Sequence, residues 1–355
     1  MSKFLTQKLQ GLTPYVPGEQ PKEREYVKLN TNESPFPPSD LAVAGAGEYA
    51  KKLYLYPDPD LKELTNAVAD YYGVGAENVI LTNGSDEVLN FAFSAYCDKD
   101  TPAIFPNITY GFYKVFAELY GVPYTEIPLK SDFTVALNDY INAKGTVFIA
   151  NPNAPTGINL TIDEIEKIVS SNKERVVVID EAYVDFGGQS AIKLIDKYDN
   201  LLVTQTFSKS RSMAGARLGM GFGSKGLIED LHRIRYSTNP YNVNSMTAAA
   251  GLGAIKDDKY FRDNCSKIIK NREYTETELE KLGFTLTDSK ANFVFAKSDK
   301  IDGKTLYLKL KEKGVLVRHF DKVEIKDYNR ITVGSIEQMQ YFISMVKEIL
   351  KEIKQ

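Results

Sequence analysis

At 355 residues, 43% of them hydrophobic, the chain is long enough for a sizeable core, arranged as two domains or one large α/β unit. Its 44 basic and 47 acidic residues leave a net charge of −3, which offers no general grip on nucleic acid or anionic lipid and favours small-molecule partners. With two histidines and with Cys97 and Cys265 far apart in no CxxC pattern, a metal site has almost no ligands to draw on, and none is expected.

The first residues, MSKFLTQKLQGLTPYVPG, lack the apolar core of a signal peptide, and no apolar run is long enough to span a bilayer. A cytoplasmic protein without membrane contact is the expectation, and the two cysteines read as buried, idle thiols of a reducing compartment. The Pro-rich piece SPFPPS (34–39) reads as a connector leaving an N-terminal segment. Between roughly residues 60 and 225 strand and helix patterns alternate, which predicts a parallel sheet covered on both faces. The strand runs are VILT (79–82), AIF (103–105), TVFIA (146–150), VVVID (176–180) and LLVTQT (201–206). Among the helices, TIDEIEKIVSS has Thr161 and Glu164 spaced as a capping box. The small-residue run GMGFG (219–223) reads as a strand rather than a dinucleotide loop. Beyond it, FVFA, VLVRHF and RITVG predict a smaller sheet, closed by an amphipathic helix over 336–353.

The polar, glycine-rich motifs fall just after the strands: NGSDE, PNITYGFY, NPNAPTG, DEAYVDF and FSKSRSMAGAR. In an open parallel sheet ligands bind beyond the carboxyl ends of the strands, so these loops are expected to converge on one site. In NGSDE, Ser85 and Asp86 open a helix whose free N–H groups would hold an anion, although an ordinary helix cap explains the same residues. Asp180 ends an apolar strand, where a buried carboxylate needs a cationic or proton-sharing partner; a protonated pyridine nitrogen is one such partner, and a helix cap or metal ligand are others. In TFSKSRSMAGARLG (206–219), Thr206 and Ser208 supply hydroxyls, and Arg217 supplies a fork for phosphate. Gly215 and Ala216 leave room beside the backbone for a bulky group. Lys209, crowded by Arg211 and Arg217, is expected to have a lowered pKa and to serve as a nucleophilic amine; a plain basic loop is the alternative.

Taken in order, LTPYVPG, KLNTNESPFPPS, YPDPD, NGSDE, TYGFY, PTG, DEAYVDF, SKSRSMAGARLG and RITVG resemble the fold-type I, class II, pyridoxal-phosphate-dependent aminotransferases, and most closely their histidinol-phosphate branch. The resemblance runs over nearly the whole chain. It implies an α/β fold with a mostly parallel central sheet in a large cofactor-binding domain (41–250). A smaller α+β domain would be built from both chain ends, with segment 1–40 joining residues 251–355. It implies pyridoxal 5'-phosphate as cofactor, with Lys209 as the lysine that carries it, Asp180 paired with its ring nitrogen, Tyr183 bonded to its ring hydroxyl and Tyr110 stacked on the ring. Ser85, Asp86, Thr206, Ser208 and Arg217 match the family's phosphate cup. Tyr56 resembles the tyrosine that reaches the neighbouring subunit's cofactor, which implies a homodimer with shared active sites. Arg318 and Arg330 match the arginines that take the anionic end of the substrates, and Tyr15 the residue that closes over them. One position departs: the family's NNPTG reads NAPTG here, so Ala154 replaces the asparagine that bonds the ring oxygen, leaving Asn153, or Tyr183 with water, to substitute.

The activity so implied is transamination between L-histidinol phosphate and 2-oxoglutarate, giving imidazole-acetol phosphate and glutamate in histidine biosynthesis. An aromatic amino-acid aminotransferase or a phosphothreonine decarboxylase shares most of these motifs. A non-catalytic binding protein of the same fold would usually add a DNA-binding segment, and none is apparent.

Overall fold

A computed structural model describes residues 2–353. Strand β1 (Val27–Lys28) comes first, followed by helix α1 (Asp40–Ala50), which begins where the Ser39 side chain accepts the Ala42 N–H. Helix α2 (Lys62–Tyr72) stops at Gly73, whose φ of 70° suits a residue without a Cβ. The alternating section then runs β2 (Val79–Thr82), α3 (Ser85–Tyr96), β3 (Ala103–Pro106), α4 (Phe112–Tyr120), β4 (Tyr124–Ile127), β5 (Thr146–Ala150), α5 (Ile162–Ser171), β6 (Val177–Asp180), β7 (Leu201–Thr206) and β8 (Gly219–Gly223). The capping box expected at Thr161 and Glu164 is formed at the start of α5.

These strands make one seven-stranded sheet in the order β2-β8-β7-β6-β5-β3-β4. Strands β7, β6, β5, β3 and β4 are mutually parallel, while β8 runs antiparallel to both β7 and β2. Two antiparallel steps restore direction, so β2 points the same way as β7 and its carboxyl end lies on the same edge. Strands β2, β3, β5, β6, β7 and β8 are buried along their whole length, which is why they read as continuous apolar or small-residue runs. Strand β4, at one edge of the sheet, is half exposed and carries YTEI, so it gives no apolar signal. The two faces of the sheet are covered by separate apolar cores, one including Ile149, Ile165 and Val203, the other Phe93, Phe148 and Leu202.

After α6 (Lys225–Thr238), α7 (Ser245–Lys256) and the long α8 (Asp258–Lys281) come β9 (Phe284–Leu286), β10 (Phe293–Ser298), α9 (Gly303–Glu312), β11 (Val315–Leu316), β12 (Arg318–His319), β13 (Tyr328–Thr332) and α10 (Ile336–Glu352). An antiparallel sheet, β12-β13-β10-β9, forms the small layer. Helix α10 buries Met339, Phe342, Ile343, Val346, Ile349 and Leu350, the face set by its helical spacing. The N-terminal segment joins this part of the molecule, because β1 pairs in parallel with β11 through Val27 and Val315. Among the described residues no helix is long and apolar enough to cross a membrane.

Candidate active site

The loops after β2, β3, β5, β6 and β7 meet at a cavity of about 330 Å3, lined by Ser85, Asp86, Tyr110, Asp180, Tyr183, Thr206, Ser208, Lys209 and Arg217. The strands end together at this edge, so residues more than a hundred positions apart in sequence become neighbours.

Lys209 follows β7 and is half-buried; its Nζ donates to the Thr31 carbonyl at 3.3 Å and lies 5.9 Å from the centre of the Tyr183 ring. Burial is the main force holding its pKa down, to about 8, and the Arg330 charge adds to it. Arg211 plays no such part. Its guanidinium turns away into a cage of Phe261, Tyr71 and Phe207 and donates to the Ala254 carbonyl, so the crowding expected from Arg211 is corrected to crowding by Arg330, while Arg217 acts on the lysine as expected.

Asp180, at the end of β6, is only 4% exposed. Its Oδ2 accepts the Tyr113 O–H at 3.0 Å and its Oδ1 the Ala182 N–H at 3.3 Å. Burial pushes its pKa up to about 7, against the lowering effect of the Tyr113 bond. Tyr183 accepts an N–H from Asn32 at 3.0 Å, so its phenolic hydrogen remains available to a ligand.

The opposite end of the cavity is built for an anion. Helix α3 begins at Ser85 immediately after Gly84, so the helix starts at the cavity that Ser85 and Asp86 line, and a helix N-terminus favours an anion. Arg217, held at φ 55°, donates to Asp86 Oδ2 at 3.1 Å, and Tyr110 donates to the other carboxylate oxygen at 2.7 Å. Thr206 donates to Ser208 Oγ at 3.0 Å, and the Ser208 N–H returns to Thr206 Oγ1 at 3.1 Å. Two glycines make the cradle possible. A Cβ on Gly84, whose φ is 80°, would lie 2.6 Å from Arg217 Nη2, and one on Gly219 would lie 2.2 Å from the Ser85 nitrogen.

The other expected residues surround the cavity without lining it. Arg330 is half-buried on β13, donates to the Asn30 carbonyl at 3.1 Å and has a buried Nε without a partner in the protein. Arg318, on the neighbouring strand and paired with Arg330 in register, donates to the carbonyls of Val16 and Pro17. Tyr15 stacks on Phe112 at 4.4 Å and approaches Tyr110 at 6.3 Å. Tyr56 is 82% exposed and stacks on Tyr241, outside the cavity of its own chain.

Asn153 requires a correction. Its Oδ1 accepts from Thr109 at 2.8 Å and its Nδ2 donates to the Ile108 carbonyl and to Thr156, each at 3.0 Å. The amide is consumed in shaping the loop and faces a different cavity, while Ala154 lines the one that holds Lys209. Asn153 therefore does not take the place of the missing asparagine. The sequence reading also missed Thr31 and Glu33, which reach the cavity from the N-terminal segment, and Tyr113 beneath Asp180. These residues lie within the motifs KLNTNES and TYGFY, but only contact in three dimensions distinguishes them from their neighbours there.

Residues 24–346 match the family model "Aminotransferase class I and II". A histidinol-phosphate aminotransferase from Brachyspira hyodysenteriae is 48% identical over 99% of this chain and 100% of its own length. Another from Clostridium botulinum is 45% identical over the same shares. The solved structure of a histidinol-phosphate aminotransferase from Sinorhizobium meliloti in complex with pyridoxal-5'-phosphate superposes with a TM-score of 0.90 at 21% identity, over 99% of both chains, and shares the fold. A half-buried lysine, a buried aspartate and an anion cradle gathered at one sheet edge thus stand in a chain that matches these proteins over nearly its whole length, and by that measure it belongs to the class I and II aminotransferases.

Proposed function

We propose that the protein is a pyridoxal-phosphate-dependent aminotransferase that moves an amino group between L-histidinol phosphate and 2-oxoglutarate. The observation that carries this reading is the single cavity in which Lys209 lies between the buried carboxylate of Asp180 and the hydroxyl, guanidinium and helix-end donors of the cradle. Full-length relatives named histidinol-phosphate aminotransferases support the choice of substrate.

The residues present fit the cofactor. Asp180 is a buried carboxylate bonded only to neutral donors within the protein, and a protonated ring nitrogen would complete it. Ser85, Asp86, Thr206, Ser208 and Arg217 would hold the phosphate, with Asp86 orienting Arg217; a Cβ on Gly84 would invade that space. Tyr110 would cover the ring face and Tyr183 would donate to the ring oxygen, with Ala154 offering no polar group there. When bound, the cofactor supplies a ring that accepts the electron pair left at the substrate carbon.

Within this site Lys209 would supply the amine that holds the cofactor and, once free, the base that takes the proton from the substrate's reacting carbon. Its lowered pKa places an appreciable neutral fraction near neutral pH. Arg330 and Arg318 would take the substrate's far end, where histidinol phosphate carries phosphate and glutamate a carboxylate, so that one pair of cations would serve both half-reactions. Tyr15 would close over the bound substrate.

The same reading includes a homodimer in which Tyr56 completes the partner's site. It is supported by the exposed apolar run Leu53, Tyr54, Leu55 and Tyr56. It includes a large cofactor-binding domain over 41–250 and a small domain from 1–40 and 251–355, supported by the pairing of β1 with β11. A cytoplasmic location is part of it too, and the buried free thiols Cys97 and Cys265 suit a reducing compartment.

The test is a side-by-side assay of the purified protein, loaded with cofactor, on histidinol phosphate, phenylalanine and phosphothreonine. Histidinol phosphate with 2-oxoglutarate is expected to give the highest kcat/KM. Preference for phenylalanine, or release of carbon dioxide from phosphothreonine, would overturn the substrate assignment.

A further inference from the structure

Beneath the cavity floor, Tyr113 in the first turn of α4 is 0% exposed. Its ring meets Tyr110 edge-on at 5.8 Å and 87°, and Phe105 and Phe148 also at 5.8 Å. Packed on these sides, the ring cannot swing, and its hydroxyl is committed to one partner, Asp180 Oδ2 at 3.0 Å. The second carboxylate oxygen takes only the longer Ala182 bond at 3.3 Å.

A carboxylate in such a place becomes neutral unless donors or cations favour its charge. Two charged groups act on it: Asp86 from α3 favours the neutral acid, and Lys209 from the loop after β7 favours the anion. The phenols of Tyr110 and Tyr183 also face it, and burial keeps both protonated. Asp86 and Lys209 oppose one another, which leaves the direct bond from Tyr113 as the leading local influence favouring ionised Asp180. The Tyr113 phenol is itself far too weak an acid, by burial first and then by Asp180, to surrender its proton, so it acts as a fixed donor.

We propose that Tyr113 is a positioning residue that keeps Asp180 ionised and presented to the cavity, so that the carboxylate can meet the protonated ring nitrogen of the cofactor. The proposal rests on the pairing of Asp180 with that nitrogen. It needs no contact between Tyr113 and cofactor or substrate.

The experiment follows the Asp180 carboxyl by carbon NMR in the full-length, cofactor-free protein labelled at aspartate, with the resonance identified by its loss in Asp180→Asn. A hydrogen bond to a charged group corresponds to about one to two pH units, so Tyr113→Phe is expected to raise the Asp180 midpoint by about that much. Pyridoxal phosphate should bind Tyr113→Phe about tenfold or more weakly below the raised midpoint and approach parental affinity above it. If Tyr113→Phe does not fold, 3-fluorotyrosine incorporated at position 113 supplies the same test with the opposite sign, because its more acidic phenol donates more strongly and should lower the midpoint. A role confined to packing would weaken binding equally at every pH and leave the midpoint alone, and that result would overturn the proposal. If instead Asp180→Asn bound cofactor and turned over as well as the parent, the ring-nitrogen pairing would fall even with the Tyr113 midpoint shift intact, so the two failures can be told apart.

Discussion

Lys209 and Arg330 act on each other before either meets a ligand. The guanidinium is the second cause, after burial, of the lowered lysine pKa, and an amine with a lowered pKa is neutral above about 8 rather than above its ordinary range. Arg330→Ala should therefore raise the Lys209 pKa, shrink the neutral fraction at a given pH and move the pH of half-maximal cofactor capture upward. The rate of borohydride-trapped pyridoxal phosphate incorporation as a function of pH checks this, and an unmoved profile would mean that Arg330 does not set the amine's pKa. The same arginine and Arg318 should also divide the substrates. Truncating one partner of a partly buried charged contact costs about 2 to 5 kcal/mol, or about 30-fold to several-thousand-fold in kcat/KM. Arg318→Ala is expected to depress turnover of histidinol phosphate far more than of histidinol, which has no dianion. Arg330→Ala should impair both half-reactions, because glutamate presents a carboxylate to the same cation. Equal small losses on phosphorylated and unphosphorylated amines would show that neither arginine reads phosphate.

At the scale of elements, the site depends on how closely β8 and the loop before it press on the first turn of α3. Gly84→Ala would force a Cβ to within 2.6 Å of Arg217 Nη2 at a φ of 80°, a conformation that side chains rarely adopt. The variant should lose cofactor affinity, read by spectrophotometric titration, by more than it loses thermal stability; unchanged affinity would remove Arg217 from the cradle. This junction was legible in the sequence because each half carries a local signal, a glycine-serine helix start in NGSDE and a glycine after an arginine in ARLG. The buried strands were legible for the same reason, since a strand covered on both faces needs an unbroken apolar run. Strand β4, exposed along much of its length, needs none, and YTEI carries no such signal. Orientation was the other thing hidden. Whether Asn153 faces the cavity depends on Thr109, 44 residues away, and the bond from Tyr113 to Asp180 spans 67. Separations of that kind become contacts only when parallel strands bring distant loops to one edge, so motif spacing gave the place of the site but not the direction of each side chain within it.

For the whole molecule, the question is what covers the surface around Tyr56. An 82% exposed tyrosine stacked on Tyr241 serves no purpose inside its own chain's cavity, yet it sits in a run with Leu53, Tyr54 and Leu55, each more than half exposed. A two-fold dimer with this patch at its interface would bury it on both copies at once and, in the shared-site arrangement proposed above, would carry each Tyr56 toward the partner's cradle. Removal of the Tyr56 hydroxyl and removal of Lys209 would then damage different subunits' contributions to a site. In a hybrid of one Tyr56→Phe chain and one Lys209→Ala chain, one site receives both lesions and the other neither. The Lys209→Ala homodimer should be inactive and the Tyr56→Phe homodimer weakened in cofactor binding, whereas the purified hybrid should recover about half the parental activity per dimer. Differently tagged chains, co-expressed and isolated through both tags, provide the measurement. If the hybrid's intact lysine turned over only as fast as a Tyr56→Phe site, Tyr56 would be acting within its own chain, and an active monomer would remove the shared site altogether.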